Sequence, residues 1–526
     1  MFKDYKHKIN SNADILLVHS PVWHIIEPNL GLAYVAQYFI DHNIGASYFD
    51  INNMLLKCLS MEISDYYWNP SNTEYWANDN LFYSKTINDF SAHLDSIADF
   101  IVGLKTEILG FSLNRTNRLF SIELLKRIKK KKPQVLTVCG GFLCGLPEVG
   151  KQFLDVFDMC VIGEGELTML SIYEQFRTSK NYDSIPGVLT KKNISNFIRA
   201  EQVPIEKLGF PKYEFIELEN YKNKNDKYSC LHLNVARGCF WGKCVFCQSA
   251  KISQGYRGRS FDSVIEEIEY LYNRNAKNFY FSDLAFGKDL SECEKFLNKI
   301  IIKFPEIRLS GQMRFADNLS KEFFSLMKKA GFHGLSFGLE SGSQKILNKL
   351  KKGTTPKIAA KCLEGCHSAG LETSVFIIAG HPEETESNFY ETFQFLVDNK
   401  QNISRVEQVC LFEFQYGTPA YDNLDYFIKN LGLRYPDVSA GENGNIFQWE
   451  IPEVNTMDIR IKRQQILYML AEKIGLGKGH YSQQEDQTSI YSAPVATYIV
   501  RKLEKSKMFF LLKIYRTIKK YFLKFI

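Results

Sequence analysis

The sequence lacks several features that would assign it to a common class of protein. No run of about 18 uncharged apolar residues occurs, which argues against a transmembrane helix. Its first residues show no long apolar core followed by a small-residue cleavage site, so we expect no secretory signal and a cytoplasmic location. Cysteine is sparse, with 12 in 526 residues, which is too few for a disulfide scaffold of this size. The length of 526 residues is too great for one ordinary domain, so two or three globular domains are expected.

A large charge surplus is also missing, because 65 Lys and Arg face 59 Asp and Glu. Residues 501–526, with nine basic residues and one Glu, carry more than the whole excess, and the rest of the chain is slightly acidic. A near-neutral body does not coat nucleic acid, so no nucleic-acid partner is expected. The tail has the pattern of a basic amphipathic helix, which lies on a membrane surface, binds a partner or packs on the protein's own barrel. Its basic face would carry Lys513, Arg516, Lys520 and Lys524.

Residues 1–178 alternate between short β-rich runs and helical segments. Most of the runs end near Gly or Pro, as strands of a parallel doubly wound (Rossmann-like) α/β sheet do. The predicted strands are Asp14–His19, Ser47–Ile51, Ile108–Ser112, Gln134–Cys139 and Met159–Ile162. Residues 61–89, dense in aromatics and Asn, are predicted to form a long loop or lid, and residues 179–225 a connector.

The alternation resumes in residues 226–455. Six β/α units are too few for an eight-stranded barrel and predict a partial (β/α)6 barrel of the TIM type, whose site lies at the carboxyl ends of the strands. Residues 456–526 are predicted to be mainly helical. The predicted barrel strands are Leu231–Ala236, Asn278–Ser282, Ile307–Met313, Gly334–Glu340, Thr373–Ala379 and Arg405–Phe414.

The sharpest signal is a cluster of three cysteines, Cys239, Cys244 and Cys247, directly after the first predicted barrel strand. Three thiolates on one tight loop can hold three irons of a 4Fe-4S cluster and leave the fourth iron open. A zinc site is the alternative, but it needs a fourth protein ligand, and no nearby residue offers an evident one. Buried free thiols are the remaining possibility.

This loop resembles the cysteine loop of the radical S-adenosylmethionine (SAM) enzymes, although four residues rather than three separate Cys239 from Cys244. The Cys-Phe-Trp-Gly opening is similar to that of cobalamin-dependent members. Segments resembling the family's SAM-contacting motifs follow in order, among them Gly338–Gly342 and Gly380–Thr385. The resemblance covers nearly all of residues 230–420. It implies SAM contacts from Phe246, Asp283, Arg314, Glu340, Ser341 and Gly380.

The first domain resembles the cobalamin-binding domain that precedes the barrel in this class. Glycines let the backbone approach a bulky nucleotide tail, and small polar side chains can hydrogen-bond to it. By pattern alone, a flavin-binding domain or one without ligand is the alternative. The DxHxxG signature is absent, so no His from this domain is expected on the cobalt. The implied cobalamin contacts are Pro21, Leu30, Gly110, Ser112, Asn114, Thr116, Asn117, Gly140, Gly141, Gly163 and Glu164.

Taken together, the resemblance implies a cobalamin-dependent radical SAM enzyme with a 4Fe-4S cluster, SAM and methylcobalamin. Its commonest reaction is C-methylation of an unactivated carbon through a 5′-deoxyadenosyl radical. Cyclisation, ring contraction or rearrangement with the same cofactors is one alternative. A tRNA methylthiotransferase is a second, disfavoured because the first domain lacks that family's three-cysteine cluster and the tail is no β-barrel RNA module. A non-catalytic metal-binding scaffold is the third. The implied partners are a small-molecule or peptide substrate and an electron donor such as flavodoxin or ferredoxin. No general acid or base is predicted.

Overall fold

The computed structural model describes residues 9–23, 27–216, 218–221, 230–435 and 448–478. The described residues form two sheets, each flanked by helices, and a two-stranded ribbon that lies in sequence between the first two strands of the second sheet. The fold is α/β, as predicted from the alternation of strands and helices. The basic tail, for which we predicted an amphipathic helix, lies outside the described residues.

The first sheet has the strand order β2-β1-β3-β4-β5-β6. All of its pairs are parallel except β5 with β6. The direction of winding reverses between β1 and β3, and ligands of such sheets bind outside the carboxyl ends of the strands at that point. The last strand comes from the segment predicted as a connector. The strands are β1 (Ile15–His19), β2 (Ala46–Asp50), β3 (Ile108–Ser112), β4 (Leu136–Gly140), β5 (Met159–Val161) and β6 (Val188–Leu189).

Helices cover both faces of this sheet, which explains why its strands are apolar runs rather than alternating ones. Helices α1 and α9 pack together on one face, and α6 and α7 on the other. The helices are α1 (Leu30–Asp41), α2 (Ile51–Cys58), α3 (Met61–Tyr67), α4 (Glu74–Ala77), α5 (Asp79–Leu81), α6 (Ile87–Val102), α7 (Arg118–Lys131), α8 (Pro147–Gly150) and α9 (Glu166–Arg177). A π-helical turn spans Phe82–Thr86, and short 3-10 turns span Pro70–Asn72, Phe142–Cys144, Lys151–Phe153, Ile194–Asn196, Ile205–Leu208 and Leu218–Tyr221.

The prediction of a long loop or lid over residues 61–89 is wrong. The segment is a series of short helices whose aromatic side chains form a packed cluster. Tyr67, Trp68, Trp76 and Phe90 are all buried, and their rings meet mostly edge to face. The Trp76 indole N–H donates to the Tyr67 carbonyl at 2.8 Å. Short helical turns obscure the helical period in sequence, whereas burial of large rings supplies the stability.

The second sheet is an open barrel with the strand order β15-β14-β13-β12-β11-β10-β7, and all its pairs are parallel. Its six long strands match the six predicted ones within a few residues. The short strand β15, from the region predicted as helical, extends the edge of this sheet. The strands are β7 (Cys230–Leu233), β10 (Asn278–Phe286), β11 (Arg308–Met313), β12 (Phe332–Glu340), β13 (Glu372–Ala379), β14 (Arg405–Leu411) and β15 (Gly477–Lys478); the ribbon is β8 (Ala236–Arg237) with β9 (Arg257–Gly258).

Alternation along these strands separates an apolar outer side from a polar interior. On β10, Phe279 and Phe281 join the core beneath the helices, whereas Ser282 faces the other way. Helix α19 packs on β14 and completes that core through Leu467 and Leu470. In the described part of the chain, no helix is long and apolar enough to cross a membrane. The helices are α10 (Ser249–Ile252), α11 (Phe261–Tyr272), α12 (Leu290–Lys303), α13 (Lys321–Lys329), α14 (Gln344–Lys349), α15 (Pro356–Ser368), α16 (Glu386–Asp398), α17 (Pro419–Asp422), α18 (Leu424–Leu431) and α19 (Met457–Lys473).

Candidate active site between the cysteine loop and the first domain

The loop that carries the three cysteines is closed at its base by the β8–β9 ribbon. In this ribbon Arg237 lies opposite Arg257. Gly238 follows with φ +81°, and a Cβ atom there would lie 2.0 Å from the Gly255 carbonyl oxygen. Only glycine allows this backbone conformation and this close approach. The ribbon therefore fixes where the loop leaves the barrel.

All three loop cysteines are free and half-buried. A guanidinium nitrogen of Arg314 lies 3.8 Å from Cys244 Sγ, and Cys247 Sγ lies 2.9 Å from Ser249 Oγ. Burial raises the pKa of Cys244, while Lys352 and Arg314 act in the opposite direction. The two cations thus favour the thiolate, which is the form that binds metal.

The spacing of these sulfur atoms bears on the choice between a cluster and a single zinc ion. Among the described residues, the only three possible metal ligands within 4.8 Å of one another are elsewhere. At least one pair of loop sulfurs is therefore more than 4.8 Å apart. Zn–S bonds of about 2.3 Å would bring all three closer than that. The loop sulfurs as they stand are thus too far apart for all three to share one zinc ion.

A buried ion pair lies beside the cysteine loop at the end of β12. Lys352 Nζ donates to Glu340 Oε1 at 2.6 Å, and both side chains are less than a tenth exposed. Arg314 donates to the Lys352 carbonyl oxygen, and Lys352 Nζ lies 5.9 Å from the Phe246 ring centre. The structure thus brings together three predicted SAM-binding residues: Phe246, Arg314 and Glu340. Lys352 was not predicted, because an isolated Lys in sequence gives no signal of its partner.

The other three predicted SAM-binding residues do not join this group. Asp283 lies on the helix side of β10, and its carboxylate accepts from the backbone N–H groups of Val235 and Ala236 at 3.0 and 2.5 Å. Burial raises its pKa to about 7, and the two backbone donors oppose that rise. Asp283 therefore holds the chain between β7 and the ribbon, rather than pointing into the barrel.

Ser341 and Gly380 are likewise used within the fold. The Ser341 hydroxyl lies 3.0 Å from Thr392 Oγ1 and accepts from the Ser343 N–H. Gly380 has φ +84°, and a Cβ atom there would lie 2.3 Å from the Arg460 side chain. Each residue is near a strand end, as predicted, but packing explains its identity without a ligand.

A cavity of about 330 Å³ lies at the carboxyl ends of the first sheet. Seven of the eleven predicted cobalamin-binding residues line it: Leu30, Gly110, Ser112, Gly140, Gly141, Gly163 and Glu164. At Gly141 (φ +96°) a Cβ atom would lie 2.8 Å from Ser112 Oγ, so the chain cannot carry a side chain there. Small residues at three strand ends create the space that a bulky ligand needs.

The remaining four predicted cobalamin contacts do not line the cavity. Asn114 accepts from the backbone N–H groups of Thr116 and Asn117, each at 2.9 Å. The Asn117 amide donates to the Ser112 carbonyl, and the Thr116 hydroxyl donates to the Val22 carbonyl. These side chains hold the loop after β3 against the loop after β1. Pro21, the fourth of them, is a buried residue of the latter loop.

The barrel supplies part of the cavity wall, through Asn234, Arg237 and Ile252. Arg237 forms ion pairs with Glu164 at 3.1 Å and Glu166 at 2.6 Å, and Arg257 also pairs with Glu164. We name Glu164, Glu166, Arg237 and Arg257 the interdomain clasp. It ties the cavity of the first domain to the base of the cysteine loop. The sequence did not predict a site role for either arginine, and it predicted Glu164 as a cobalamin contact.

A second contact reaches the interior of the barrel. Glu27, from the loop after β1, pairs with His232 Nε2, and the other ring nitrogen lies 2.7 Å from Ser282 Oγ. Further along the interior, Ser336 and Ser374 are hydrogen-bonded at 2.7 Å. The open barrel therefore carries hydrogen-bonding groups on its inner side, and Glu27 brings the first domain into contact with one of them.

The cavity fits a large ligand that carries hydrogen-bonding groups. Tyr34 lines it, and the Tyr34 hydroxyl is buried with no hydrogen-bond partner. A buried polar atom of this kind normally finds a partner, which a bound ligand can supply. Among the described residues, no His lines the cavity.

Part of the chain, including the cysteine loop, matches a known protein family. Residues 233–396 match the family described as the Radical SAM superfamily. Residues 233–396 therefore form a radical SAM domain. The matched segment begins in β7, includes all three loop cysteines and ends in α16, so it covers most of the open barrel.

Similar proteins include an uncharacterized methyltransferase of Pyrococcus horikoshii, 26% identical over 307 residues, which are 57% of this chain and 66% of that protein. An anaerobic magnesium-protoporphyrin IX monomethyl ester cyclase of Rubrivivax gelatinosus is 27% identical over 352 residues, 63% of this chain and 62% of that protein. The chain thus spans somewhat less than two thirds of the length of these relatives. The cobalamin-dependent SAM radical enzyme OxsB has the same fold, with a TM-score of 0.65 at 15% identity over 89% of this chain and 67% of that chain.

Proposed function

We propose that this protein is a cobalamin-dependent radical SAM methyltransferase that methylates an unactivated carbon of a polar small molecule or peptide. One observation carries the proposal: the first-domain cavity and the cysteine loop share a wall. Arg237 lines the cavity and stands two residues before Cys239. Two cofactors bound at these places would be neighbours, which transfer between them requires. A cavity remote from the loop would not support this function.

The residues have separable roles in this proposal. Cys239, Cys244 and Cys247 would hold a 4Fe-4S cluster, Glu340 and Phe246 would contact SAM, and the glycine-lined cavity would hold cobalamin. When bound, these groups supply a 5′-deoxyadenosyl radical and a transferable methyl group. The chain itself positions them and keeps water out. The cations Arg314 and Lys352 beside Cys244 offset the negative charge of the thiolates.

The interior of the barrel supports a polar substrate. Ser336, Ser374, Ser282 and His232 present hydroxyl or imidazole groups on the inward sides of four strands. These groups already bond to Glu27 or to one another, and each hydroxyl can form further hydrogen bonds. A substrate with hydroxyl, amide or carboxyl groups would satisfy them. An electron donor of the flavodoxin or ferredoxin type would reduce the cluster.

A rearranging or cyclising enzyme is the second candidate, and the similarity to the cyclase of Rubrivivax gelatinosus favours it. The two candidates share cofactors and differ in product. Methylation adds about 14 Da and transfers the methyl label of SAM, whereas cyclisation transfers no label.

The test begins with anaerobic purification after iron, sulfide and hydroxocobalamin supply. We expect about four irons and one cobalt per chain. Substitution of Cys244 by Ala should abolish iron binding, and substitution of the exposed Cys58, as a matched control, should not. Iron without cobalt would contradict the methyltransferase proposal and leave the radical SAM barrel. Zinc in place of iron would contradict the proposal as a whole.

A further inference from the structure

Three cysteines outside the barrel also converge. They are Cys139 at the end of β4, Cys144 in the 3-10 turn Phe142–Cys144, and Cys160 on β5. Their sulfur atoms all lie within 4.8 Å of one another, and the three residues are at most 1% exposed. No other set of three possible metal ligands in the described residues meets this distance. We call these residues the trithiol site.

Two features of the fold bring them together. Cys139 and Cys160 lie directly opposite each other in the parallel pairing of β4 with β5, so their side chains point to the same face. The chain then turns at Gly141, whose carbonyl accepts from the Cys144 N–H at 3.0 Å. This turn places the third sulfur over the other two. The convergence spans 22 residues of sequence with no recognisable motif.

Apart from one another, the sulfur atoms have only weak partners among the described residues. Cys139 Sγ donates to the Met159 carbonyl at 3.6 Å, and Cys160 Sγ to the Val161 carbonyl at 4.0 Å. Such contacts are poor hydrogen bonds, and their loss costs little. The surroundings are otherwise apolar, as the site lies within the core cluster that contains Phe111 and Leu146.

We propose that the trithiol site binds one thiophilic metal ion, with Cu(I) as the ion that fits best. Soft thiolate ligands select Cu(I), zinc and iron–sulfur clusters. A structural zinc site requires four ligands, and the described residues place no fourth His, Cys, Asp or Glu in the group. Cu(I) accepts three sulfur ligands. Binding would replace S–H protons by Cu–S bonds and release those protons to solvent, with no change of oxidation state.

The site is separate from the cysteine loop but adjoins the cavity. Cys139, Gly140, Gly141, Phe142 and Gly145 line that cavity, and the same segment carries two of the three sulfurs. An ion could therefore enter along the cavity wall. Once bound, it would hold residues 139–145 of this wall in one conformation. The inference does not rest on the proposed methyltransferase function, since it uses none of the residues assigned to SAM or the iron–sulfur cluster.

The test uses the full-length chain with Cys239, Cys244 and Cys247 replaced by Ala, so that the loop binds no metal. Under anaerobic conditions, Cu(I) is titrated in competition with the chromophoric chelator bicinchoninate. We expect one Cu(I) per chain to be withheld from the chelator, and X-ray absorption to show three sulfur neighbours. Adding Cys144→Ser should weaken retention at least 100-fold. The matched control Cys362→Ser, at another buried cysteine, should leave retention unchanged.

The alternative is that the three residues are protonated thiols packed as small apolar side chains. That alternative predicts no retained copper, and this result would overturn the proposal. Equal retention after Cys144→Ser, in a variant whose circular dichroism shows it folded, would also overturn it. If Cys144→Ser does not fold, the sulfur count from X-ray absorption of the parent chain decides, because fewer than three neighbours contradicts the site. A disulfide in the anaerobically purified chain, detected by intact mass, would contradict it as well.

Discussion

At the scale of single residues, His381 is a buried group with a fixed protonation state. Its Nδ1 accepts from the Glu383 N–H at 3.1 Å, and its ring packs on Phe412. An accepting Nδ1 carries no proton, so this ring is neutral. Burial lowers the pKa of His381 from 6.5 to about 4. Between these two values the unfolded chain takes up a proton that the folded chain does not.

This difference predicts that the free energy of unfolding falls as the pH drops from 6.5 towards 4. The loss due to His381 is at most about 1.4 kcal/mol per pH unit. His381→Asn removes the titration, while its side-chain oxygen can still accept from the Glu383 N–H. Urea unfolding of both chains at pH 7, 6 and 5 measures the difference. Parallel pH profiles for the two proteins would contradict this prediction.

The Glu340–Lys352 pair gives a second prediction at this scale. Lys352→Met leaves the Glu340 carboxylate buried without its counter-charge, which costs about 3–5 kcal/mol. Glu340→Gln together with Lys352→Met removes both charges and should recover a large part of the loss. Denaturant unfolding of the iron-free protein measures the free energy of unfolding of the unsubstituted chain, of Lys352→Met and of the double variant. If the double variant is as unstable as Lys352→Met alone, the charge pairing is not the cause.

At the scale of elements, the β8–β9 ribbon depends on one glycine. In Gly238→Ala the added methyl group would overlap the Gly255 carbonyl oxygen at 2.0 Å, and the left-handed conformation adds about 1–2 kcal/mol of strain. We expect the loop to be displaced and the iron content to fall below a tenth of the unsubstituted value. Gly432→Ala is the matched control, because Gly432 has φ +67° with nothing within 4 Å of the added carbon. Full iron binding by Gly238→Ala would show that the ribbon does not fix the loop.

At the scale of the whole molecule, the interdomain clasp joins the two units that carry the proposed cofactors. Glu164→Gln removes the charge that faces both Arg237 and Arg257. Glu164 and both arginines are partly exposed, so we expect a loss of about 2 kcal/mol and an acceleration of hydrogen exchange across residues 236–258 of about 30-fold. The matched control is Glu292→Gln, which breaks an exposed pair with Lys295 and should change exchange little. Unchanged exchange in Glu164→Gln would mean that other contacts hold the loop.

The sequence alone determined the alternation of strands and helices, and with it the α/β class of both sheets. Runs such as Ile108–Ser112 need no tertiary information, because apolar residues of high β propensity between turn residues form a buried strand in any parallel sheet. Gly141 and Gly238 were also predictable as positions where the backbone turns sharply, since glycine readily adopts the positive φ angles that such turns need. The three loop cysteines were evident because their ligand function is local in sequence.

Tertiary structure alone decided which polar groups meet. Nothing local in sequence distinguishes Asp283, which caps backbone amides, from Glu340, which lies beside Lys352 and the cysteine loop. The same holds for Glu164, whose partners stand more than 70 residues away, and for the trithiol site. Local propensity follows from each residue and its neighbours, whereas pairing between distant side chains follows from the packing of whole elements.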